Sequence, residues 1–285
     1  MQLEHTGLTS APARSADARK ILLFVPMYNC ARQIPRVLAQ LTPDVTSLLS
    51  EVIVVDNRSR DDGIAAVRAA LVRDWPIPVR LLQNDKNYGL GGSHKVAFNY
   101  AVANGFDYCI VLHGDDQGSI ADLAPLIRAG VHKTCDCLLG ARFMRGSTLQ
   151  GYSFLRTFGN RLFNGLYSLA AGKIIYDLGS GLNMYSVKAL RGRRYLKHGN
   201  DLTFNYYMIL DSINSGSSIR FFPIVWREDD QVSNVKLVRQ AARVLRIALS
   251  FAFMRGRFLD NDHSGDPTNA YPATVIVEAK PAGSS

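Results

Sequence analysis

The 285-residue chain is 47% hydrophobic and 20% charged, enough apolar material for one large core and a poor match to an extensively disordered polymer. Its 33 Lys and Arg against 24 Asp and Glu give a formal charge of +9, which favours anionic partners such as nucleotide phosphates, lipid phosphates or an acidic membrane surface. Nucleic acid would suit the charge, but neither zinc-finger spacing nor an aromatic-rich RNA-binding signature is present, and no uncharged run approaches the roughly 18 residues of a spanning helix.

Taken in chain order, residues 1–18 are polar and rich in Ala and Ser, without the apolar centre of a signal peptide, and are expected to be a disordered N-terminus. Strands are predicted over Ile21 to Pro26, Glu51 to Asp56, Val79 to Asn84, Tyr108 to His113 and Cys137 to Arg142. Their apolar runs are nearly continuous, the mark of strands covered on both faces. Helices are predicted over Ala31 to Leu41, Asp61 to Arg73, Gly92 to Asn104 and Ala121 to Ala129. This alternation reads as an α/β fold, a Rossmann-like, mostly parallel sheet flanked by helices. The four cysteines, Cys30, Cys109, Cys135 and Cys137, lie in or beside strands and lack C-x-x-C pairing, so neither a metal site nor a disulfide framework is expected. A cytoplasmic setting follows, soluble or peripheral on the inner face of the membrane.

Residues 19–142 form the candidate nucleotide-binding half and 143–258 the acceptor half of a single domain. In the second half a Gly- and aromatic-rich stretch leads to Asp177-Leu-Gly-Ser-Gly181 and a strand. A polar turn follows around Gly199-Asn200-Asp201, then a further strand over Ile219 to Trp226 and a basic amphipathic helix from about Val235 to Met254. Residues 259–285, rich in Asn, Asp, Gly, Pro and Ser, are expected to be a flexible tail.

In an open parallel sheet ligands bind beyond the carboxyl ends of the strands. Those ends are polar here: Pro26-Met-Tyr28-Asn29, Asp56-Asn57-Arg58-Ser59, Asn84 with Asn87-Tyr-Gly89, and His113-Gly114-Asp115-Asp116-Gln117. Each alone reads equally as a turn or helix cap. Four on one edge point to a shared site. The dinucleotide fingerprint G-x-G-x-x-G is missing after the first strand, and the phosphate loop G-x-x-x-x-G-K-[ST] is missing altogether, which excludes the two commonest nucleotide-binding rivals.

Over roughly residues 20 to 255, the segments Val25-Pro-Met-Tyr-Asn29, Val55-Asp-Asn-Arg-Ser59, Asn87-Tyr-Gly-Leu-Gly91, His113-Gly-Asp-Asp-Gln117 and Asp177-Leu-Gly-Ser-Gly181 resemble, in order, the motifs of family 2 glycosyltransferases of the GT-A fold. The likeness is nearest to the dolichol- and undecaprenyl-phosphate sugar transferases. It implies that Pro26, Tyr28 and Asp56 line the donor base and ribose, with Asn29, Asn57, Ser59, Asn87, Gly89, Gly91 and Gly114 in the same donor region. Asp115 would hold Mg²⁺ or Mn²⁺ with Asp116 in support, since a hard cation takes carboxylate and phosphate oxygens. Gln117 would touch a sugar. His113 departs from the family, which commonly has aspartate there. Arg142, in Gly140-Ala-Arg142, resembles an arginine that faces phosphate; a structural ion pair is the competing reading. Asp177, Ser180 and Gly181 would shape the acceptor side or serve chain conformation. Arg227 and Lys236 resemble basic residues that close over phosphate. Asp201 is the candidate general base if the acceptor is a hydroxyl, and a helix cap if the acceptor is a phosphate that ionises by itself.

The resemblance implies an inverting, divalent-metal-dependent transfer from a UDP- or GDP-sugar donor to an acceptor, foremost a polyprenyl phosphate. A soluble glycan or small-molecule acceptor is the alternative; a non-catalytic nucleotide-sugar-binding protein and a nucleotidyltransferase are the remaining ones. In the C-terminal helix, Lys236, Arg239, Arg243 and Arg246 recur at three, four and three residues and so share a stripe beside an apolar face. That helix either lies in an anionic membrane interface or packs on the domain.

Overall fold

The structure, a computed structural model, describes residues 19–228, 237–266 and 268–281. The strands are β1 (Ile21–Met27), β2 (Glu51–Asp56), β3 (Val79–Asn84), β4 (Tyr108–Leu112), β5 (Cys137–Ala141), β6 (Thr148–Gln150), β7 (Leu182–Ser186), β8 (Ile219–Pro223), β9 (Val225–Arg227) and β10 (Ala273–Ala279). The helices are α1 (Ile34–Ala39), α2 (Pro43–Thr46), α3 (Gly63–Ala70), α4 (Gly89–Ala103), α5 (Ala124–Arg128), α6 (Phe154–Ala171), α7 (Val187–Leu190), α8 (Phe204–Asn214), α9 (Leu237–Phe253) and α10 (Arg255–Asp260).

Eight strands form one sheet in the order β10-β3-β2-β1-β4-β7-β5-β8, while β6 and β9 pair separately. The pairs β3-β2-β1-β4 and β5-β8 are parallel, and β7 and β10 run antiparallel to their neighbours. The mostly parallel α/β sheet expected from the sequence is therefore present. Every residue of β1 and β2 is buried, because each face of the sheet carries its own core. On one face Leu22, Phe24, Ile53 and Val111 pack on Phe98 of α4 and Phe204 of α8. On the other, Leu23, Val25, Val52 and Val54 pack on Val37 and Leu38 of α1 and Val67 of α3. The near-continuous apolar runs are the sequence trace of this double coverage.

Three expectations change. The predicted strand over Ile219 to Trp226 is two strands, β8 and β9, broken at Ile224, with β9 leaving the main sheet to pair with β6. Part of the flexible tail expected over 259–285 is instead built into the fold: β10 adds to the edge of β3 through Ala273 to Ala279, and Trp75 bridges Pro281. The segment Ala273-Thr-Val-Ile-Val-Glu-Ala279 is β-branched and covers a bare edge, a local signal diluted by the polar residues around it. The Gly- and aromatic-rich stretch before Gly172 is the 18-residue helix α6, ended by Gly172 in the left-handed conformation at φ +67°. Residues 1–18 and Lys236 lie outside the described residues.

Candidate active site

The carboxyl ends of β1, β2, β3 and β4 converge on a cavity of about 890 Å³. Close main-chain approach sets its floor. Gly114 N donates to Pro26 O at 3.1 Å, and a Cβ on Gly114 would stand 2.7 Å from that oxygen. At the N-terminus of α4, Gly91 N donates to Asn200 O at 2.8 Å, and a Cβ at Gly89 or Gly91 would collide with the 199–200 main chain. The loop entering α4 thus seats directly on the turn that leads into α8.

Asn57 organises that loop. Its Oδ1 accepts from Asn84 Nδ2 at 2.9 Å and Tyr88 N at 2.8 Å, while its Nδ2 donates to Asn87 Oδ1 at 2.9 Å. Pro26, Tyr28, Asn57, Asn87 and Gly89 line the cavity. Asp56 does not. It is fully buried, with Oδ1 accepting from Ser59 N at 3.1 Å and Oδ2 from Gln83 Nε2 at 3.0 Å, so the turn-capping reading replaces base recognition. Asn29 and Ser59 fasten two loops together, Asn29 N donating to Ser59 Oγ and Arg60 N to Asn29 Oδ1.

After β4 the two aspartates part. Asp115 lines the cavity, and burial pushes its carboxyl up to about 6. Its Oδ1 accepts only from Gln117 N, at 3.3 Å, and Oδ2 lies 4.0 Å from His113 Nδ1. Asp116 adopts φ +59°, which turns its side chain behind the strand. There it accepts from Arg36 Nε at 2.7 Å and Gln40 Nε2 at 3.0 Å, with Arg227 at 3.6 Å. Asp116 is therefore withdrawn as a metal ligand and Arg227 as a phosphate contact. Each is the other's partner.

Arg142 also meets a carboxylate. Its Nε and Nη2 each lie 2.8 Å from Asp177, and its main-chain N donates to the same carboxylate at 2.8 Å. The guanidinium packs near Trp226, Phe143 and Tyr152 and still borders the cavity, so the ion-pair reading holds while contact with a ligand stays open to it. Ser180 is buried, its Oγ donating to Leu182 O at 3.2 Å, and Gly181 makes room for the His113 ring. Asp201 leaves the site as well: Oδ1 caps the turn by accepting from Thr203 N at 2.9 Å, and Oδ2 pairs with Arg243 of α9. Among the described residues lining the cavity, the carboxylates are Asp115 and Glu228, and Glu228 is paired with Arg156.

Sequence reasoning passed over Arg156 and the apolar half of the cavity. Leu155, Gly159 and Phe163 of α6 face Ala241 and Val244 of α9 across it, with Tyr206 of α8 between. The signal was available as Arg156-x-x-Gly159-Asn160 spacing, which puts small and polar residues on one helical face.

Among the described residues no group of three His, Cys, Asp or Glu side chains could hold a metal by itself. The donor set that faces the cavity is the Asp115 carboxylate with the His113 imidazole beside it. A half-buried carboxylate without a close cationic partner fits a divalent ion whose other ligands come from a bound diphosphate.

The sequence model of the family described as Glycosyl transferase family 2 matches residues 23–193. The chain is 22% identical over 181 residues, covering 60% of it and 71% of the relative, to the UDP-N-acetylglucosamine-dolichyl-phosphate N-acetylglucosaminyltransferase of Methanococcus voltae. Among solved structures it resembles glucosyl-3-phosphoglycerate synthase of Mycobacterium tuberculosis bound to Mn²⁺, UDP and glucosyl-3-phosphoglycerate, with a TM-score of 0.61 at 14% identity over 92% of this chain and 90% of that one. The same enzyme with Mn²⁺, UDP-glucose and phosphoglyceric acid gives the same score, identity and coverage. At that identity the likeness is one of fold.

Proposed function

This chain belongs to glycosyl transferase family 2, and from that premise we propose that it moves a sugar from a UDP-sugar to a polyprenyl phosphate, with inversion, in a divalent-metal-dependent reaction at the membrane surface. UDP is preferred over GDP because the Methanococcus voltae relative is a UDP-N-acetylglucosamine enzyme and the Mycobacterium tuberculosis structure contains UDP. The acceptor rests on one observation. The cavity runs from the polar strand ends at Asp115 to an apolar cleft between α6 and α9, and beside that cleft α6 exposes Phe154, Phe158, Leu162 and Leu169. An amphiphile with a phosphate head and an isoprenoid tail matches that sequence of surfaces.

The chemistry agrees. A phosphate monoester has a second pKa near 6 and is mostly ionised at neutral pH. Its oxygen attacks the anomeric carbon as the bond to the UDP oxygen breaks, and UDP departs. No general base is required, in keeping with Asp201 being engaged by Thr203 and Arg243. Asp115, with His113 beside it, would hold the divalent cation, which when bound would supply Lewis-acid neutralisation of the leaving diphosphate. Arg156, at the junction of the polar and apolar parts, is the guanidinium suited to receive the acceptor phosphate in exchange for Glu228.

No helix among the described residues is long and apolar enough to cross a membrane. Attachment would therefore be interfacial, through α6 and the basic α9, where Arg239, Arg243 and Arg246 are exposed. The test is release of the nucleoside diphosphate, UDP or GDP, by the full chain from a panel of UDP- and GDP-sugars with Mn²⁺ or Mg²⁺. A short polyprenyl phosphate, 3-phosphoglycerate and a neutral prenol serve in turn as acceptor. Release that depends on the prenyl phosphate supports the reading. Equal or faster release with 3-phosphoglycerate overturns the lipid acceptor.

A further inference from the structure

Lys95 of α4 lies outside the cavity lining, at the centre of a buried polar knot that reaches the cavity through one carbonyl. Its Nζ donates to Leu196 O at 2.8 Å, His198 O at 2.6 Å, Asn200 Oδ1 at 2.7 Å and Tyr271 OH at 3.0 Å. Tyr271 OH in turn donates to the same Asn200 oxygen at 3.0 Å, which closes a triangle of three side chains. An ammonium can only donate, so the orientation of the Asn200 amide is fixed, and its Nδ2 is left to donate to Ser264 O at 2.9 Å.

All four of these partners are neutral oxygens, and burying a cation among neutral groups carries a desolvation cost that a methionine in its place would avoid. What the ammonium supplies is direction. It fixes Asn200 from one side, while Tyr271 and Ser264, both from the chain beyond α10, fix it from the other. The main-chain oxygen of Asn200 then accepts from Gly91 N at 2.8 Å and Gly92 N at 3.3 Å. The contact leaves no room to absorb movement: a Cβ at Gly89 would stand 2.3 Å from Asn200 O, and one at Gly91 would stand 2.3 Å from Gly199 O. A displacement of Asn200 therefore carries the loop entering α4 with it, and Asn87, Gly89 and Leu90 of that loop line the cavity.

We propose that Lys95 and Tyr271 are positioning residues for the nucleoside diphosphate of the donor. They hold the Asn200 carbonyl where it seats the Asn87 to Gly91 loop, so that the chain beyond α10, no described residue of which lines the cavity, sets donor affinity. The inference rests on the donor reading above and concerns binding rather than the chemical step.

The test is calorimetric titration of the full chain with UDP in the presence of Mn²⁺. Tyr271→Phe keeps the ring against Lys95 and Tyr88 and deletes the hydroxyl alone. Glu278→Gln is the control, because it loosens β10 at Arg80, 2.8 Å away, without touching the triangle. UDP affinity should fall by about threefold to tenfold in Tyr271→Phe, the scale of one or two neutral hydrogen bonds, and stay at the wild-type value in Glu278→Gln. In steady-state kinetics the loss should appear in the KM for the donor and not in kcat. Asn200→Ala, which removes the same contact from the other side, should lose at least as much and gives the answer if Tyr271→Phe fails to fold. Unchanged UDP affinity in the Tyr271 and Asn200 variants, whatever their melting, or an equal fall in Glu278→Gln, overturns the inference and leaves the donor reading standing. A wild-type chain that does not bind UDP overturns both.

Discussion

Replacing Phe154 and Phe158 together by serine is the sharpest test of how the acceptor is reached. These side chains are 85% and 59% exposed, one turn apart on α6, and no described residue covers them. A phenylalanine carries roughly 200 Å² of burial capacity, so the pair presents roughly 290 Å² of apolar surface. At about 25 cal/mol per Å² its complete removal from water would contribute about 7 kcal/mol. Interfacial seating withdraws about half of such a face, leaving about 3 kcal/mol, or on the order of a hundredfold in partitioning. The assay is co-sedimentation with sucrose-loaded vesicles of neutral and of anionic lipid. The double variant should lose about two decades of partition coefficient while its thermal midpoint and its turnover on a short, water-soluble prenyl phosphate stay near wild type. Unchanged partitioning would refute the reasoning. A concentration-dependent dimer that the substitutions dissolve would reassign the face to a second copy of the chain.

The adjacent aspartates should separate by phenotype: Asp115→Asn is expected to lower UDP-sugar turnover by about a hundredfold or more with little change in melting. Asp116→Asn should instead reduce stability by about 1 to 3 kcal/mol in urea melts, because Arg36, Gln40 and Arg227 lose their shared carboxylate. Gly91→Ala drives a methyl into Gly199 O and Phe204, and should raise the KM for donor in steady-state kinetics more than it lowers kcat. Lys95, fully buried, donates to Leu196 O, His198 O, Asn200 Oδ1 and Tyr271 OH, and burial pushes it down to about 7, with Asp262 and Asp266 opposing. Unfolded lysine titrates near 10.4, so between about pH 7 and 10.4 the unfolded chain binds the extra proton and folding gains stability as pH rises. The stability of wild type relative to Lys95→Met should therefore climb by a few kcal/mol from pH 7 to pH 10, and parallel urea-melt curves would contradict it.

Residues 19–142 were readable because β1 to β4 are covered on both faces, so that their apolar runs and polar ends follow one another in the chain. The rest of the chain was harder for a physical reason. In α6 the largest apolar residues face outward, which inverts the usual relation between hydrophobicity and burial, and Gly159 and Gly165 interrupt its helical signal. The strand β10, seven residues long, is set among turn-forming residues. Its partner β3 lies far away in sequence, so nothing local marks it as a sheet edge.

Side-chain roles were less legible than elements, and the aspartates explain why. Whether a carboxylate faces ligand or protein depends on where cations and N–H donors arrive from elsewhere. Asp116 meets Arg36 from 80 residues upstream, Asp177 meets Arg142, and Asp201 meets Arg243 on α9. Five motif aspartates, Asp56, Asp115, Asp116, Asp177 and Asp201, thus end in five environments, of which only that of Asp115 faces the cavity. This sorting has a chemical consequence. With Asp56, Asp116, Asp177 and Asp201 already engaged, the described lining offers one carboxylate without a basic partner, and that one suits a cation. On the proposed reading, a neutral hydroxyl entering here would find no spare carboxylate in the described lining to ionise it, whereas a phosphate would arrive already ionised and meet Arg156 at the boundary of the apolar cleft. Selectivity between acceptor classes can then arise from protonation state before any contact with the lipid tail is made.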